Sequence, residues 1–449
     1  MAAGLTTEIR ALYDRGRHGY GTEKICYAPF VNMYFNSRGN VGPCWLTLDQ
    51  APRYPDQTLR EIWFGEYFLK LRKSIEKVDL TGNCGVCKKR IVDGVFSQVL
   101  ARAYDLPYAM GSYPQIMEFE LSNLCNLACT MCKGSLSSKI RKVREQLAPL
   151  RSPYNDAFVE QLKEFIPHLR EARFNGGEPF LQKACWDIWE QIAALNPDIL
   201  ITVATNGTVL NEKVERLLEA CRFRINVSLD SLIPKTYESI RVGSSFETVI
   251  KNTEYFADYC QRRDTIFSIM VNPMRSNWRE MPHFVRWCSE RNYHLWFNTV
   301  WRPRHLALWT LASQRLSEIQ EFYLREQFEL TDGGRDFIFE HNVKVFKSLA
   351  ENQMSAWIED QEKREAEGVS YSDLLNEIEG AERRFKSQQV YAENAQLFQW
   401  IGRKTKNVLS SDMLFHYLNR APRRELESTL ESCKGDALLE WVYQICDYY

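Results

Sequence analysis

The chain has 449 residues, with 57 Lys and Arg balanced against 58 Asp and Glu for a formal net charge of -1. That balance, with no block of basic residues, argues against a nucleic-acid or membrane surface, and no run of eighteen apolar residues predicts a membrane span. The length allows two or three domains, and the start, MAAGLTTEIRALYDRG, lacks the apolar stretch of a signal peptide, so a soluble cytoplasmic protein is expected.

Thirteen cysteines is an odd number. In a reducing compartment such residues serve as metal ligands, small buried hydrophobes or reactive groups rather than disulfides. Seven fall into two spaced groups, Cys26, Cys44, Cys84 and Cys87, and then Cys125, Cys129 and Cys132. The other six, Cys185, Cys221, Cys260, Cys288, Cys433 and Cys446, lie on apolar patterns and read as buried packing.

The chain opens with a short helix and a loop up to Lys24. Val31, Met33 and Phe35 then alternate as one face of a strand, Asn36–Gly39 supplies a turn, and Asn40–Leu46 is the return strand. Leu59, Ile62, Trp63, Tyr67 and Leu71 recur at helical spacing, predicting one helix to about Lys77. A C-x2-C knuckle, Cys84 to Cys87, follows. Four cysteines on a hairpin and a knuckle can close a site around zinc or around a [4Fe–4S] cluster. The run C-x12-G-x4-C from Cys26 through Gly39 to Cys44, then LREIW, then C-x2-C, resembles the SPASM/twitch module. That module carries auxiliary [4Fe–4S] clusters, so the resemblance favours a cluster at Cys26, Cys44, Cys84 and Cys87, with zinc as the alternative. Two departures stand: the module usually follows a catalytic barrel and here precedes it, and four cysteines support one auxiliary cluster only.

From about 112 to 302, short apolar runs alternate with helical patterns, which predicts a parallel sheet with crossover helices. The strand candidates are Ile116–Leu121, Ala172–Asn175, Ile199–Thr205, Arg224–Leu229, Thr265–Val271 and His294–Thr299. Helices are expected between them, among them Trp186–Leu195, Glu212–Cys221, Phe246–Tyr259 and Trp278–Arg291. Ligands of such folds sit at the carboxyl ends of the strands. There, after the first strand, Leu124–Lys133 reads LCNLACTMCK and spaces Cys125, Cys129 and Cys132 as C-x3-C-x2-C. Three thiolates are one short of a closed site, which reads as a [4Fe–4S] cluster with one iron left open.

This motif resembles the radical S-adenosylmethionine (SAM) superfamily, in which SAM chelates the open iron. The resemblance implies a partial (β/α)6 barrel and assigns roles at successive strand ends. Met131 stands where the family usually has an aromatic residue near the adenine. Asn175-Gly176-Gly177-Glu178-Pro179 looks like the GGEP motif, with Gly176, Gly177 and Glu178 binding the SAM amino group. Asn206, in the Thr205–Thr208 segment that also reads as a strand-ending turn, stands where the family often has a residue beneath the SAM site. Ser228 and Asp230 resemble residues that hydrogen-bond the SAM ribose or carboxylate, and Arg241 matches an arginine that pairs with the carboxylate, a solvent-facing helix arginine being the alternative. Asn272, Asn298, Trp301 and Arg302, at the last two strand ends, are position-based candidates for SAM adenine or substrate.

Beyond residue 303 the pattern is helical: Ser317–Leu330, Phe337–Glu367 and Tyr371–Ile401, punctuated by Gly333-Gly334 and a Ser370-x-x-Asp373 capping box. A helical cap or a substrate lid is expected there, and Cys433 or Cys446 is a candidate hydrogen-atom donor. The expected organisation is thus 1–110 auxiliary-cluster domain, 111–302 radical SAM barrel and 303–449 helical domain. The resemblance implies reductive cleavage of SAM to a 5′-deoxyadenosyl radical that abstracts a hydrogen atom, with a flavodoxin or ferredoxin as electron donor. A ribosomally made peptide or protein is the expected substrate, and a small natural-product or sugar precursor the alternative. No winged-helix leader-binding pattern is present, so a separate peptide-recognition protein is a candidate partner. The reading from another class is a non-catalytic scaffold with zinc at both cysteine groups.

Overall fold

Alternation sets the architecture. Ala172, Phe174, Ile201, Val203, Phe223, Ile225 and Val227 are almost wholly buried, while the residues between them point to the other face of their strands. The computed structural model describes residues 5–366, apart from 16, 18–22, 49, 106–109 and 331–334. The strands are β1 (Asn32–Phe35), β2 (Val41–Gly42), β3 (Ile116–Phe119), β4 (Glu171–Phe174), β5 (Leu200–Thr205), β6 (Arg222–Ser228), β7 (Phe267–Val271) and β8 (His294–Phe297). They form one eight-stranded sheet in the order β2-β1-β3-β4-β5-β6-β7-β8.

Every pairing from β1 to β8 is parallel, and only β2 runs antiparallel, against β1. Strands β3 to β8 are the six expected of the partial barrel, each within a few residues of its predicted bounds. Helices Lys183–Leu195, Glu212–Ala220, Phe246–Arg262 and Met281–Glu290 cover the convex face. Trp189, Leu217, Phe256 and Phe284 from these helices join Phe174, Val203, Ile225 and Ile269 from the strands in one core. The concave face carries the alternate set, which is polar: Glu118, Arg173, Thr202 and Arg224 stand at neighbouring register positions, and Asn226, two residues on from Arg224, continues the row to Ser268 and His294.

Several expectations are corrected. The N-terminal hairpin lies in the barrel's own sheet: β1 pairs with β3 through Tyr34 opposite Glu118, so all four of its residues are buried. The return strand is only Val41–Gly42, because Pro43 has no N–H to continue the ladder, and a 3-10 turn Trp45–Thr47 follows. The helix expected through Lys77 is two helices, Leu59–Phe64 and Glu66–Glu76, with Gly65 extended between them. A Cβ at Gly65 would overlap the Glu61 carbonyl. The helix expected over Trp278–Arg291 begins as a 3-10 turn and becomes α-helical at Met281, with Pro282 in its first turn.

Of the C-terminal helices, the first spans Ser313–Leu324, and the second runs from Asp336 to Ala366 through a π-helical stretch at Ser348–Gln353. The predicted third helix, Gly333-Gly334, the Ser370 capping box, Cys433 and Cys446 lie outside the described residues. Cys185, Cys221, Cys260 and Cys288 are buried, as expected of packing residues. Among the described residues no helix is long and apolar enough to cross a membrane.

Candidate metal centre

The loop after β3 buries Leu127 and Ala128, and hydrogen bonds fix its path. Ser138 Oγ accepts from the Cys125 N–H (3.1 Å) and donates to the Cys125 carbonyl (3.2 Å). Ser137 Oγ donates to the Leu127 carbonyl at 2.6 Å, and Arg144 donates to the carbonyls of Ala128 and Cys129. Two further backbone bonds tie the loop to the segment after the helix Pro234–Ile240: Ala128 N–H to Val242 O (2.9 Å) and Thr130 N–H to Ile240 O (2.8 Å). Within it, Cys132 N–H donates to the Cys129 carbonyl.

This anchoring gathers the three thiols. Burial pushes each pKa up, that of Cys132 to about 12, where Cys129 and then Cys125 raise it further as neighbouring negative charges. Asn206 Nδ2 stands 3.8 Å from Cys125 Sγ. Thiols raised in this way ionise together when a cation compensates them, and a metal centre supplies that.

The Asn175–Pro179 segment packs directly on this loop. Gly176 and Gly177 have φ of +76° and +58°. A Cβ on Gly176 would overlap the Glu120 side chain, and one on Gly177 would overlap the Leu124 carbonyl. The glycines thus let this strand end approach Glu120 and the start of the cysteine loop closely. Glu178 is fully buried. Its N–H donates to Leu124 O, and its carboxylate accepts from Phe180 N–H (3.2 Å), Thr205 Oγ1 (2.9 Å) and Asn206 N–H (2.7 Å). Burial raises its pKa to about 7 against those three donors. Asn206 also donates to Asn126 Oδ1 at 2.9 Å, so the end of β5 is stitched to the cysteine loop.

Ser228 is the last residue of β6, level with Met270 of β7. Asp230, two residues on, is wholly buried. Its Oδ1 accepts from both the N–H (2.8 Å) and the Nδ2 (2.9 Å) of Asn272, and its Oδ2 lies 2.8 Å from Arg241 Nε. The Nε–H is not aimed at that oxygen, so the contact is an ion pair rather than a directed hydrogen bond. Arg241 is 7% exposed and is not a solvent-facing helix arginine. Asn272, a candidate for SAM adenine or substrate, donates its Nδ2 to Asp230. Met131 packs against Ile240, Met274, Val300 and Ala307, and Trp301 is half exposed.

The second cysteine group lies at the other end of the strands. Cys26, Cys44, Cys84 and Cys87 line one largely apolar cavity with Ile25, Leu46 and Ile75, near where β1 begins. Burial raises the Cys44 and Cys84 pKa values to about 12 and 11, and neighbouring thiols add to both. Cys84 closes a 3-10 turn and Cys87 lies in the first turn of the helix Gly85–Val92. The donor set, four thiols in an apolar wall, fits a soft metal centre. Among the described residues no three His, Cys, Asp or Glu side chains stand close enough to share one ion.

Sequence reasoning missed Asn126, Ser137, Ser138 and Arg144. In sequence they are ordinary polar residues of a loop and a short helix, and only the folded loop shows that they hold it.

Residues 119–288 match the model of the Radical SAM superfamily. The chain carries a radical SAM domain. The match runs from the end of β3 to the helix Met281–Glu290, and so contains the cysteine loop, the Gly176–Gly177 turn and the Asp230–Arg241 pair. GTP 3′,8-cyclase of Streptomyces coelicolor is 27% identical over 186 residues, covering 40% of this chain and 51% of that protein. AdoMet-dependent heme synthase of Methanosarcina barkeri is 27% identical over 201 residues, covering 42% and 52%. The chain thus spans about half the length of these relatives. Among solved structures, anSMEcpe with bound AdoMet overlaps 46% of this chain and 56% of that one, at 19% identity and a TM-score of 0.36. The cofactors of the radical SAM superfamily are a [4Fe–4S] cluster and SAM.

Proposed function

We propose that this protein is a radical SAM enzyme whose catalytic [4Fe–4S] cluster is held by Cys125, Cys129 and Cys132. The observation that carries the reading is the anchoring of those thiols at the end of β3, between the Gly176–Gly177 turn, Asn206 and Arg241. When bound and reduced, the cluster would supply the electron for cleaving SAM to methionine and a 5′-deoxyadenosyl radical, which would take a hydrogen atom from substrate. The chain's own part is placement. Ser138 and Arg144 fix the loop, Glu178 holds the second strand end against it, and Met131 gives the adjoining surface an apolar patch. SAM would lie along the carboxyl ends of β4 to β6, at Gly176, Gly177, Glu178, Asn206 and Ser228.

A second [4Fe–4S] cluster at Cys26, Cys44, Cys84 and Cys87 fits the four-thiol, apolar cavity. A single zinc would need those sulfurs drawn into one tetrahedral shell, about 2.3 Å from a common point. The chain divides into a cysteine-rich segment to residue 110, whose β1 and β2 join the barrel's sheet, a barrel to 302 and a helical part beyond it.

Two substrate readings follow. The resemblance of the N-terminal cysteines to the SPASM/twitch module supports a ribosomally made peptide. The concave face of the sheet supports a small polar molecule: Glu118, Glu171, Arg173 and Arg224 stand there as a chain of ion pairs, and a guest with hydrogen-bonding groups meets partners on such a wall. The names of the relatives, which include a cyclase acting on GTP, lean the same way.

Anaerobic purification tests the core of the proposal. The protein should be brown and should release 5′-deoxyadenosine from SAM when reduced by dithionite, and Cys125→Ala should abolish that release. A colourless protein carrying zinc at both cysteine groups would instead establish the scaffold reading.

A further inference from the structure

We infer that Asp230 and Arg241 form a buried charge couple that sets how readily the centre at Cys125, Cys129 and Cys132 accepts an electron, Arg241 acting directly and Asp230 as its positioning residue. The inference rests on the cluster reading given above.

The backbone fixes the geometry. Ala128 N–H bonds Val242 O and Thr130 N–H bonds Ile240 O, so the residue between each pair, Cys129 on one side and Arg241 on the other, are set opposite each other. Among the described residues the one salt bridge of Arg241 is to Asp230. Asp230 cannot swing away, since Asn272 bonds its Oδ1 twice and Asn277 Nδ2 bonds its carbonyl at 2.6 Å.

Asn272 and Asn277, the residues that hold Asp230, are on the chain after β7, far in sequence from the cysteine loop. The protein therefore fixes a cation beside a metal-binding cysteine and an anion behind that cation. In a buried setting both charges act at long range. Reducing the centre adds negative charge next to Arg241, which stabilises it, and Asp230 tempers that stabilisation. The two residues should move the midpoint potential in opposite directions. A pair that merely held the fold together would not.

The experiment is an EPR-monitored redox titration of the reconstituted protein without SAM, with the signal of a Cys125→Ala protein subtracted to remove any second centre. Arg241→Gln should make the catalytic centre harder to reduce, Arg241→Lys should restore a potential near that of the native protein, and Asp230→Asn should make it easier to reduce. If Asp230→Asn does not fold, the Gln and Lys variants at Arg241 still decide. Equal potentials in those two, or shifts of the same sign on removing the cation and the anion, would overturn the inference. The first of these results is expected if Arg241 serves only the SAM carboxylate. A native protein that assembles no reducible centre on the three cysteines would instead defeat the cluster reading beneath it.

Discussion

Gly177 carries more constraint than its place in a short motif suggests. Its φ of +58° lies in the left-handed region, and a Cβ there would meet the backbone carbonyl of Leu124. Gly177→Ala should therefore cost about 1–2 kcal/mol from backbone conformation, with a further loss as the cysteine loop is pushed aside. Urea unfolding would read the first, and a fall in bound iron the second. His294, on the concave face, gives a pH signature. Burial, then His341 and Arg224, draw its pKa from 6.5 down to about 4. Between those values the unfolded chain binds a proton that the folded chain refuses, so stability is whole above pH 6.5 and falls as pH drops towards 4. In thermal melts across that window, His294→Gln should flatten the slope, and an unchanged slope would assign it to other groups. The cysteine triplet and the two glycines were legible in sequence because their spacing is local. That Asp230 faces Arg241 and Asn272 was not, since the three meet only when β6 and β7 lie side by side.

The elements divide in the same way. Apolar alternation located β3 to β8 to within a few residues, because each strand buries one face under helices. Alternation does not say which sheet a strand joins, so the first hairpin read as part of a separate module, whereas Asn32–Phe35 pairs with Ile116–Phe119. Asn32 secures the junction: its Nδ2 donates to the Pro43 carbonyl (2.9 Å) and to Glu118 Oε1 (2.7 Å). The helix after the hairpin illustrates a second limit. Its apolar spacing runs unbroken past Gly65, and the break comes from the extended backbone there, which periodicity does not register. The helix Leu59–Phe64 has only six residues and depends on its cap, a box in which Thr58 accepts from Glu61 N–H while Glu61 accepts from Thr58 N–H. Thr58→Ala should cost about 1 kcal/mol, measurable as a lower urea midpoint at unchanged m-value. No loss would mean that Leu59, Ile62 and Trp63, buried beneath that helix, hold it without the cap.

At the scale of the molecule, the two cysteine groups occupy opposite ends of one sheet. Cys26 and Cys44 flank the hairpin near the start of β1, and the loop with Cys125, Cys129 and Cys132 leaves the end of β3, its parallel neighbour. Four residues of strand separate those levels, about 13 Å at 3.3 Å per residue. The polar concave wall, with Glu118 and Arg173, lies between them. This separation predicts a division of labour. On the proposed reading the group after β3 would have SAM as its partner, while the group before β1, with four thiols for a four-iron cube, would have no open position for SAM and would act on what lies in the barrel. Cys84→Ala removes one ligand of the second group and leaves the first loop's anchors untouched. Iron should fall from about eight to about four per chain, the content of one cube in place of two, while 5′-deoxyadenosine release under dithionite persists without substrate. Should a folded Cys84→Ala protein keep four irons yet release none, the N-terminal group would have to support SAM cleavage itself, through the shared sheet that joins the two ends.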